Sequence, residues 1–380
     1  MKVLIITGIF PPDIGGPATY VPQIARALVD RRHHVTVLTL SDRRDEDTGR
    51  YPYRLVRLPR QRFKPWRWLS TVAKIIRLGL QSDVLFVNGL AMEASLANLI
   101  LRKPVVQKVV GDLAWERATS RGWSTDGFES FQKRRHDIKV ETMKSLRRWW
   151  VRKADMVIVP SGYLAHWVTQ WGVPEGKIAV IHNAVEAPNG IHPAEVPVQA
   201  PVRLVTVGRL IPLKCIDKLV ELIAYLDGVG LVIIGDGSER QRLEALALAL
   251  GVRDRVHFAG QKRQEEALAI MAVCDLLVLN STHEGFPHVI LEAMTLGLPV
   301  VATAVGGIPE ILRHGENGRL IPPLDDRALL DAILSLVSSR SERERLSRGA
   351  KLTAETFSFQ RMVDMTEPVL CRSIGLRGGR

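Results

Sequence analysis

Two carboxylates eight positions apart, Glu284 and Glu292, mark the stretch of this sequence most suited to chemistry, NSTHEGFPHVILEAMTLGLPVVATAVGGIPEIL from Asn280 to Leu312. The run before them, Cys274 to Asn280, is short, apolar and free of Gly and Pro, which predicts a buried strand in a parallel sheet. A polar loop, Ser281 to Phe286, follows. Pro287 predicts a helix start, because its ring holds φ at a helical value and its missing N–H leaves no intrahelical bond unmade. Gly297 predicts the end of that helix. At roughly 100° per residue, eight steps bring the two acids to within about 80° of each other, so both can border one cavity. The free N–H groups of residues 286 to 289 and the positive end of the helix dipole are expected to face the same cavity, a seat for a phosphate. A second Gly-rich loop, Val305 to Ile308, is expected to open another helix through Pro309, with Glu310 in its first turn. This pattern implies an anionic ligand held beside acids.

Strand and helix patterns alternate along the whole chain, which predicts βαβ units and doubly wound parallel sheets. In the first half, strands are read at KVLIITGIF, HVTVLTL, YRLVRLP, DVLFVNG, PVVQKVVG, DMVIVPS and KIAVIHN. Gly15 and Gly16 sit where the first strand hands over to its helix, either to let backbone approach a ligand or as a plain turn. The adjacent pair is not a dinucleotide GxGxxG. Carboxyl ends of these strands present Asn88, Asp112, Ser161 and Asn183, at the edge where such sheets bind ligands. Residues 186–201, EAPNGIHPAEVPVQAP, read as a linker. A fresh strand, VRLVTVG, opens a second domain whose first loop holds Arg209 and Lys214. The expected division is 1–185, 186–201 and 202–356, with a last helix over about 357–380.

At 380 residues the chain is too long for one core, and its 46% hydrophobic content suits ordinary globular folding. Basic residues exceed acidic ones by 12, and the excess is uneven: residues 1–185 carry 30 basic and 16 acidic side chains. Two stretches supply it. Arg57 to Leu80 mixes Arg and Lys with Phe63, Trp66 and Trp68 before becoming amphipathic, which suits an anionic membrane surface or a solvated helix face. Gln132 to Lys153 adds KRR, KSLRRWW and RK. No nucleic-acid recognition motif accompanies the charge, so nucleic acid is not an expected partner. Three widely spaced cysteines, Cys215, Cys274 and Cys371, form neither a disulfide framework nor a metal motif, which points to a reducing cytosol. The first apolar run is too short to span a membrane and lacks a cleavage site, and no run reaches eighteen apolar residues.

The motifs GRLIPLKC, IIGDGSER, VHFAG, STHEGFPHVILEAMTLGLPVVAT, VGGIPEIL and ENGRLIPP resemble, in order and spacing, the second domain of the retaining glycosyltransferases of family 4 (glycosyl transferases group 1). They cover nearly all of residues 203–324, and the Glu-x7-Glu element at Glu284 and Glu292 is the most specific part. The first half is similar in its opening, IFPPDIGGPATYVPQIARAL, and in VIHNAVE; the tail TFSFQRMVDMTEPVL resembles the family's final helix, which returns to the first domain.

The resemblance implies the GT-B fold, two Rossmann-like domains facing a central cleft, closing about the linker. It implies transfer of a hexosyl unit from a UDP- or GDP-sugar to a glycan, lipid-linked or small-molecule acceptor, with retention. It places Arg209 and Lys214 at the pyrophosphate, Glu292 at the donor ribose, Glu284 near the sugar and the reaction centre, and backbone from Gly285 through Phe286 and Pro287 to His288 at sugar hydroxyls. His288 is equally read as a helix-start residue, and Glu310 as a helix-stabilising acid. With cations and a helix terminus at the leaving group, no divalent cation and no other cofactor is expected. Front-face attack assisted by the leaving phosphate and a double displacement through Glu284 are both open.

This chain departs from the family pattern in three places. Cys215 stands where Gly usually follows the lysine, and Asn88 replaces a frequent histidine. Asp112 stands where many relatives have a histidine, either as an acceptor-side hydrogen bonder or base, or as a helix cap; Trp115 and Glu116 after it are expected near the acceptor. A sugar-nucleotide binding protein without catalysis is the alternative reading of the same fold, opposed by the intact Arg209, Lys214, Glu284 and Glu292.

Overall fold

A computed structural model describes residues 1–42, 49–61, 63–186 and 190–378. Its chain forms two compact units, Met1–His182 with Gln360–Arg380, and Asn183–Phe359. Arg62 and residues 187–189, parts of the expected membrane-facing stretch and linker, lie outside the described residues, as do 43–48 and 379–380.

In the first unit the strands are β1 (Lys2–Ile6), β2 (His34–Leu40), β3 (Arg54–Leu58), β4 (Val84–Val87), β5 (Val105–Lys108), β6 (Met156–Val159) and β7 (Ile178–Val180). All pairings are parallel, in the order β3-β2-β1-β4-β5-β6-β7. The second unit has β8 (Val202–Val207), β9 (Val229–Ile234), β10 (Val256–Gly260), β11 (Leu276–Leu279), β12 (Val300–Thr303) and β13 (Arg319–Ile321), again all parallel, in the order β10-β9-β8-β11-β12-β13. Both sheets therefore start in the middle, grow to one side and then reverse. The reversal opens a crevice at the carboxyl ends, between β1 and β4 in one unit and between β8 and β11 in the other.

Helices cover both faces, so successive strand residues serve opposite cores. In the second unit Leu204, Leu231, Leu276 and Val278 belong to one apolar cluster, and Val205, Val232, Leu277 and Leu279 to the other. That is why these strands read as unbroken apolar runs rather than as alternating ones. β13 has only three residues and was not foreseen as a strand, being too short to show a pattern.

Residues 190–201 of the expected linker make contacts of their own. Val198 is buried, and the Ala194 N–H donates to the Ala269 carbonyl at 3.1 Å, so residues 190–201 are strapped onto the second unit. The helix expected after Val305–Ile308 is a single 3₁₀ turn, Ile308–Glu310. The chain turns again at Gly315, φ 78°, before it enters β13.

Candidate functional site

The second unit's crevice is built from loops that follow β8, β9, β11 and β12. After β8 the chain runs through exposed Arg209 and buried Leu210 into a 3₁₀ turn, Pro212–Lys214, and then the helix Ile216–Tyr225. Cys215, between turn and helix, has φ 44° and ψ 43°. This left-handed conformation accounts for the glycine usual at this position. After β11, the loop Asn280–Phe286 leads into the helix His288–Leu296, with Pro287 at its N-cap and Gly297 closing it in the left-handed conformation.

These loops are laced together around Glu284. The Thr282 N–H donates to the Leu213 carbonyl at 2.8 Å, and Asn280 Nδ2 to the Cys215 carbonyl at 3.4 Å. Lys214 Nζ forms an ion pair with Glu284 Oε1, and Ser281 Oγ donates to the same oxygen at 2.7 Å. From β12, Thr303 Oγ1 donates to the Ser281 carbonyl at 2.6 Å and the Gly307 N–H to the Glu284 carbonyl at 3.3 Å. Gly306, at φ 58°, lies so close that a Cβ there would stand 1.6 Å from the Glu284 carbonyl oxygen. On the other side, a Cβ on Gly235 after β9 would meet the Gly208 carbonyl oxygen at 1.9 Å. Only backbone fits at these two contacts, and that lets four strand ends converge on one lysine and one carboxylate.

The side chains around the pair divide by environment. Burial pushes the neighbouring His283 imidazole down to about 4, only partly offset by the Glu284 charge, so it is neutral at ordinary pH. Glu292, on the helix His288–Leu296, accepts from Gln264 Nε2 at 2.7 Å, and burial raises its carboxyl above the usual range. Glu284 and Glu292 thus have separate partners, a lysine and an amide. Sequence reasoning missed Ser281, His283 and Gln264; the first two adjoin Glu284, and the third lies on another helix where nothing in the sequence marks it. Arg209 is exposed on the β8 loop. Phe286 is a core residue, packed near Phe357 with ring centroids 5.8 Å apart, and its carbonyl is held by Asn183 Nδ2 at 3.1 Å. Pro287 is buried, Gly285 and His288 are half-buried, and Glu310 is exposed on its 3₁₀ turn. Among the described residues no group of three His, Cys, Asp or Glu side chains gathers in a metal-binding arrangement.

In the first unit, Gly15 is the N-cap of the helix Gly16–Asp30 with φ 148°, a backbone conformation that favours glycine. Asp112 takes the capping place that was one of its two readings: its Oδ1 accepts from the Ala114 N–H at 2.9 Å. Its Oδ2 forms a buried ion pair with Arg147 and accepts from Gln132 Nε2 at 2.7 Å. This carboxylate is 1% exposed and fully engaged, the geometry of a structural group. Trp115 likewise belongs to the core, with Nε1 donating to the Asp126 carbonyl at 3.0 Å. Ser161 caps the helix Gly162–Gln170.

The basic excess is partly internal too. Arg147 and Lys144 are buried in ion pairs, and Arg60 binds Asp13 and the Gly8 and Leu40 carbonyls. Lys133, Arg134, Arg135, Lys139, Arg148, Arg152 and Lys153 of the second stretch face solvent, as does the start of the helix Lys64–Gly79, where Phe63 is 72% and Trp66 68% exposed. Among the described residues no helix is long and apolar enough to cross a membrane.

Two family models match the chain, Glycosyltransferase Family 4 over residues 14–187 and Glycosyl transferases group 1 over residues 191–353. A lipopolysaccharide core biosynthesis glycosyltransferase of Rhizobium meliloti, LpsE, is 38% identical over 171 residues, 45% of this chain and 49% of that protein. The matched segment thus spans about half the length of that relative. An uncharacterized glycosyltransferase of Methanocaldococcus jannaschii is 28% identical over 92% of this chain and 93% of its own. Among solved structures, Anabaena HepE in complex with UDP and glucose superposes with a TM-score of 0.79 at 23% identity, covering 98% of this chain and 100% of that one. Sucrose-phosphate synthase from Thermosynechococcus elongatus gives 0.81 at 22% identity, covering 99% of each chain. These likenesses carry the GT-B fold. With both halves matched in order by the two models, the chain belongs to the family 4, group 1 glycosyltransferases.

Proposed function

We propose that the chain is a metal-independent retaining glycosyltransferase that moves a hexosyl unit from a UDP- or GDP-sugar to a glycan or lipid-linked acceptor. The observation that carries this reading is the Lys214–Glu284 pair in the crevice between β8 and β11, enclosed by strand-end loops and the start of the helix His288–Leu296. A departing nucleoside diphosphate gains negative charge in the transition state. Lys214, with Arg209 on the same loop and the helix N-terminus, stabilises that change more than it stabilises the bound donor. In the free site Lys214 is neutralised by Glu284; an arriving pyrophosphate competes for the ammonium and leaves Glu284 held by Ser281 beside the sugar. Glu292, kept in place by Gln264, accepts from the vicinal hydroxyls of a ribose. UDP and glucose in the HepE complex support a uridine donor. The Rhizobium relative, named for lipopolysaccharide core biosynthesis, supports a lipid-linked saccharide acceptor.

Asp112 has no free oxygen for a base, so the leaving phosphate oxygen is the group we assign to deprotonate the acceptor, with attack on the face from which the diphosphate departs. Recovery of a peptide glycosylated on Glu284 would replace this with a double displacement. The test of the whole reading is nucleotide release from UDP-, GDP- and ADP-sugars by wild type, Lys214→Ala and Glu284→Ala, with and without EDTA. Turnover of one donor, unaffected by EDTA and lost in both variants, is the expected outcome. Binding without turnover, with every acceptor offered, would leave a sugar-nucleotide binding protein instead.

A further inference from the structure

The first unit has its own crevice where the strand order reverses, and the residues at its edge are unusual. Carrying the β4 to β5 register one residue beyond Val87 and Gln107 sets Asn88 beside Lys108, on one face of the sheet. Thr7 lies next in the same row, since Ile6 pairs with Val87. This is the face covered by the helix Gly16–Asp30, because Tyr20 of that helix packs edge-on against Phe86, two residues before Asn88. Lys108 is 7% exposed, and its Nζ lies 3.4 Å from the centroid of the Tyr20 ring. Among the described residues no carboxylate pairs with it; Asp13, the acid of the β1 loop, is bound to Arg60. Asn88 Nδ2 is also buried without a partner. Asn88 Nδ2 is thus withdrawn from water without an acceptor, and in the neighbouring strand position the buried Lys108 has its ammonium over an aromatic face instead of against an anion.

Burying such groups is costly unless something completes them. The helix over them has Gly15 as N-cap, no capping side chain and no acid in its first turn, so its positive end is also uncompensated. We propose that Lys108 and Asn88 form an anion-binding subsite of the first unit that receives a phosphate or carboxylate group of the acceptor. The proposal rests on the transferase reading above for the word acceptor, and on the first unit alone for the subsite. An anion there would pair with Lys108, accept from Asn88 Nδ2 and lie at the N-terminal end of the helix, which the free protein leaves without a counter-charge.

The experiment is thermal unfolding of the full chain saturated with UDP, titrated separately with inorganic phosphate, malonate and dodecyl phosphate below its micelle concentration. Wild type, Lys108→Met, Asn88→Leu and Lys214→Ala are compared, the last removing the donor-side cation. A saturable rise in midpoint for at least one anion is expected in wild type and in Lys214→Ala, absent in Lys108→Met and reduced several-fold in Asn88→Leu. Malonate as the strongest ligand would identify a carboxylate, inorganic phosphate a free phosphate, and dodecyl phosphate a lipid phosphate. A rise that survives Lys108→Met, or one lost only in Lys214→Ala, would overturn the subsite. So would no rise with any of the three. If Lys108→Met does not fold, Asn88→Leu decides by the same criterion. Failure of UDP itself to stabilise wild type, with the Lys108-dependent rise intact, would instead count against the donor reading and leave the subsite standing.

Discussion

Cys215 closes the turn that carries Lys214 and does so with a side chain in the left-handed region. An L-residue there bears about 1 kcal/mol of strain that glycine avoids. Cys215→Gly is therefore expected to raise stability by up to that amount in chemical denaturation, with nucleotide affinity unchanged. Gly306 is the opposite case. An added Cβ would sit 1.6 Å from the Glu284 carbonyl oxygen, so Gly306→Ala must displace the β11 or the β12 loop. A misplacement on the ångström scale costs about 100-fold in kcat/KM, the loss expected for this variant. Lys108 gives a pH test. Burial alone, with no charged neighbour contributing, lowers its ammonium to about 7 from 10.5. Tyr20 faces it from the helix, Asn88 from β4 and Ile158 from β6, none of them charged at neutral pH. Below pH 7 both folded and unfolded chains hold the proton and the penalty is full; between 7 and 10.5 only the unfolded chain holds it, so stability rises with pH. Lys108→Met should flatten that rise and be the more stable protein at pH 7, read from denaturant midpoints across the range.

The helix Lys64–Gly79 begins with Phe63, Trp66 and Leu69 exposed, next to Lys64 and Arg67, where a helix packed only for stability would show polar residues. Exposed aromatic and aliphatic side chains flanked by cations are the composition of a helix that rests on an anionic bilayer. Phe63→Ser with Trp66→Ser should abolish sedimentation with phosphatidylglycerol vesicles while leaving nucleotide release from the free donor unchanged; equal sedimentation would remove the membrane from the account. Arg60 is unsuited to that test, because it holds the β1 loop through Asp13. Such assignments show what a linear pattern conveys. Apolar runs ending in polar loops marked the seven strands of the first unit together with β8 and β11, and Pro287 with Gly297 bounded the site helix, because both signals act through local backbone geometry. Asp112 was left between two readings, and Trp115 and the basic stretch around Arg147 misled, for the converse reason. Their roles depend on which helices pack against them, and a charge or an indole looks the same in sequence whether it meets water or a buried partner. Gln264 was invisible on the same ground, since its contact with Glu292 joins two helices.

At the scale of the molecule, the order of the chain and the order of the units part company at the end. The second unit is one continuous segment, Asn183–Phe359, whereas the first recovers Gln360–Arg380 after the second is complete. That returning helix is not an ornament. Met362, Val363 and Leu370 are 3%, 1% and 0% exposed, Arg31 is bonded to Asp364 and Glu367, His33 meets Glu367 at 2.7 Å, and Arg377 reaches Asp155 at 3.0 Å. The surface ion pairs contribute little individually. The three buried side chains contribute roughly 5–9 kcal/mol between them, comparable with the about 5–15 kcal/mol that holds a whole domain folded. Truncation after Phe359 should therefore unfold the first unit and spare the second. In calorimetry the 1–359 chain is expected to keep a single transition, raised by UDP and matched by an isolated 183–359 fragment. Two transitions in the truncated chain, or none in the fragment, would show that the final helix is dispensable or that the second unit cannot fold without the first. Because the residues proposed to bind the donor, Lys214, Glu284 and Glu292 among them, lie within 183–359, the surviving transition also reports whether they hold a nucleotide without any help from the first unit.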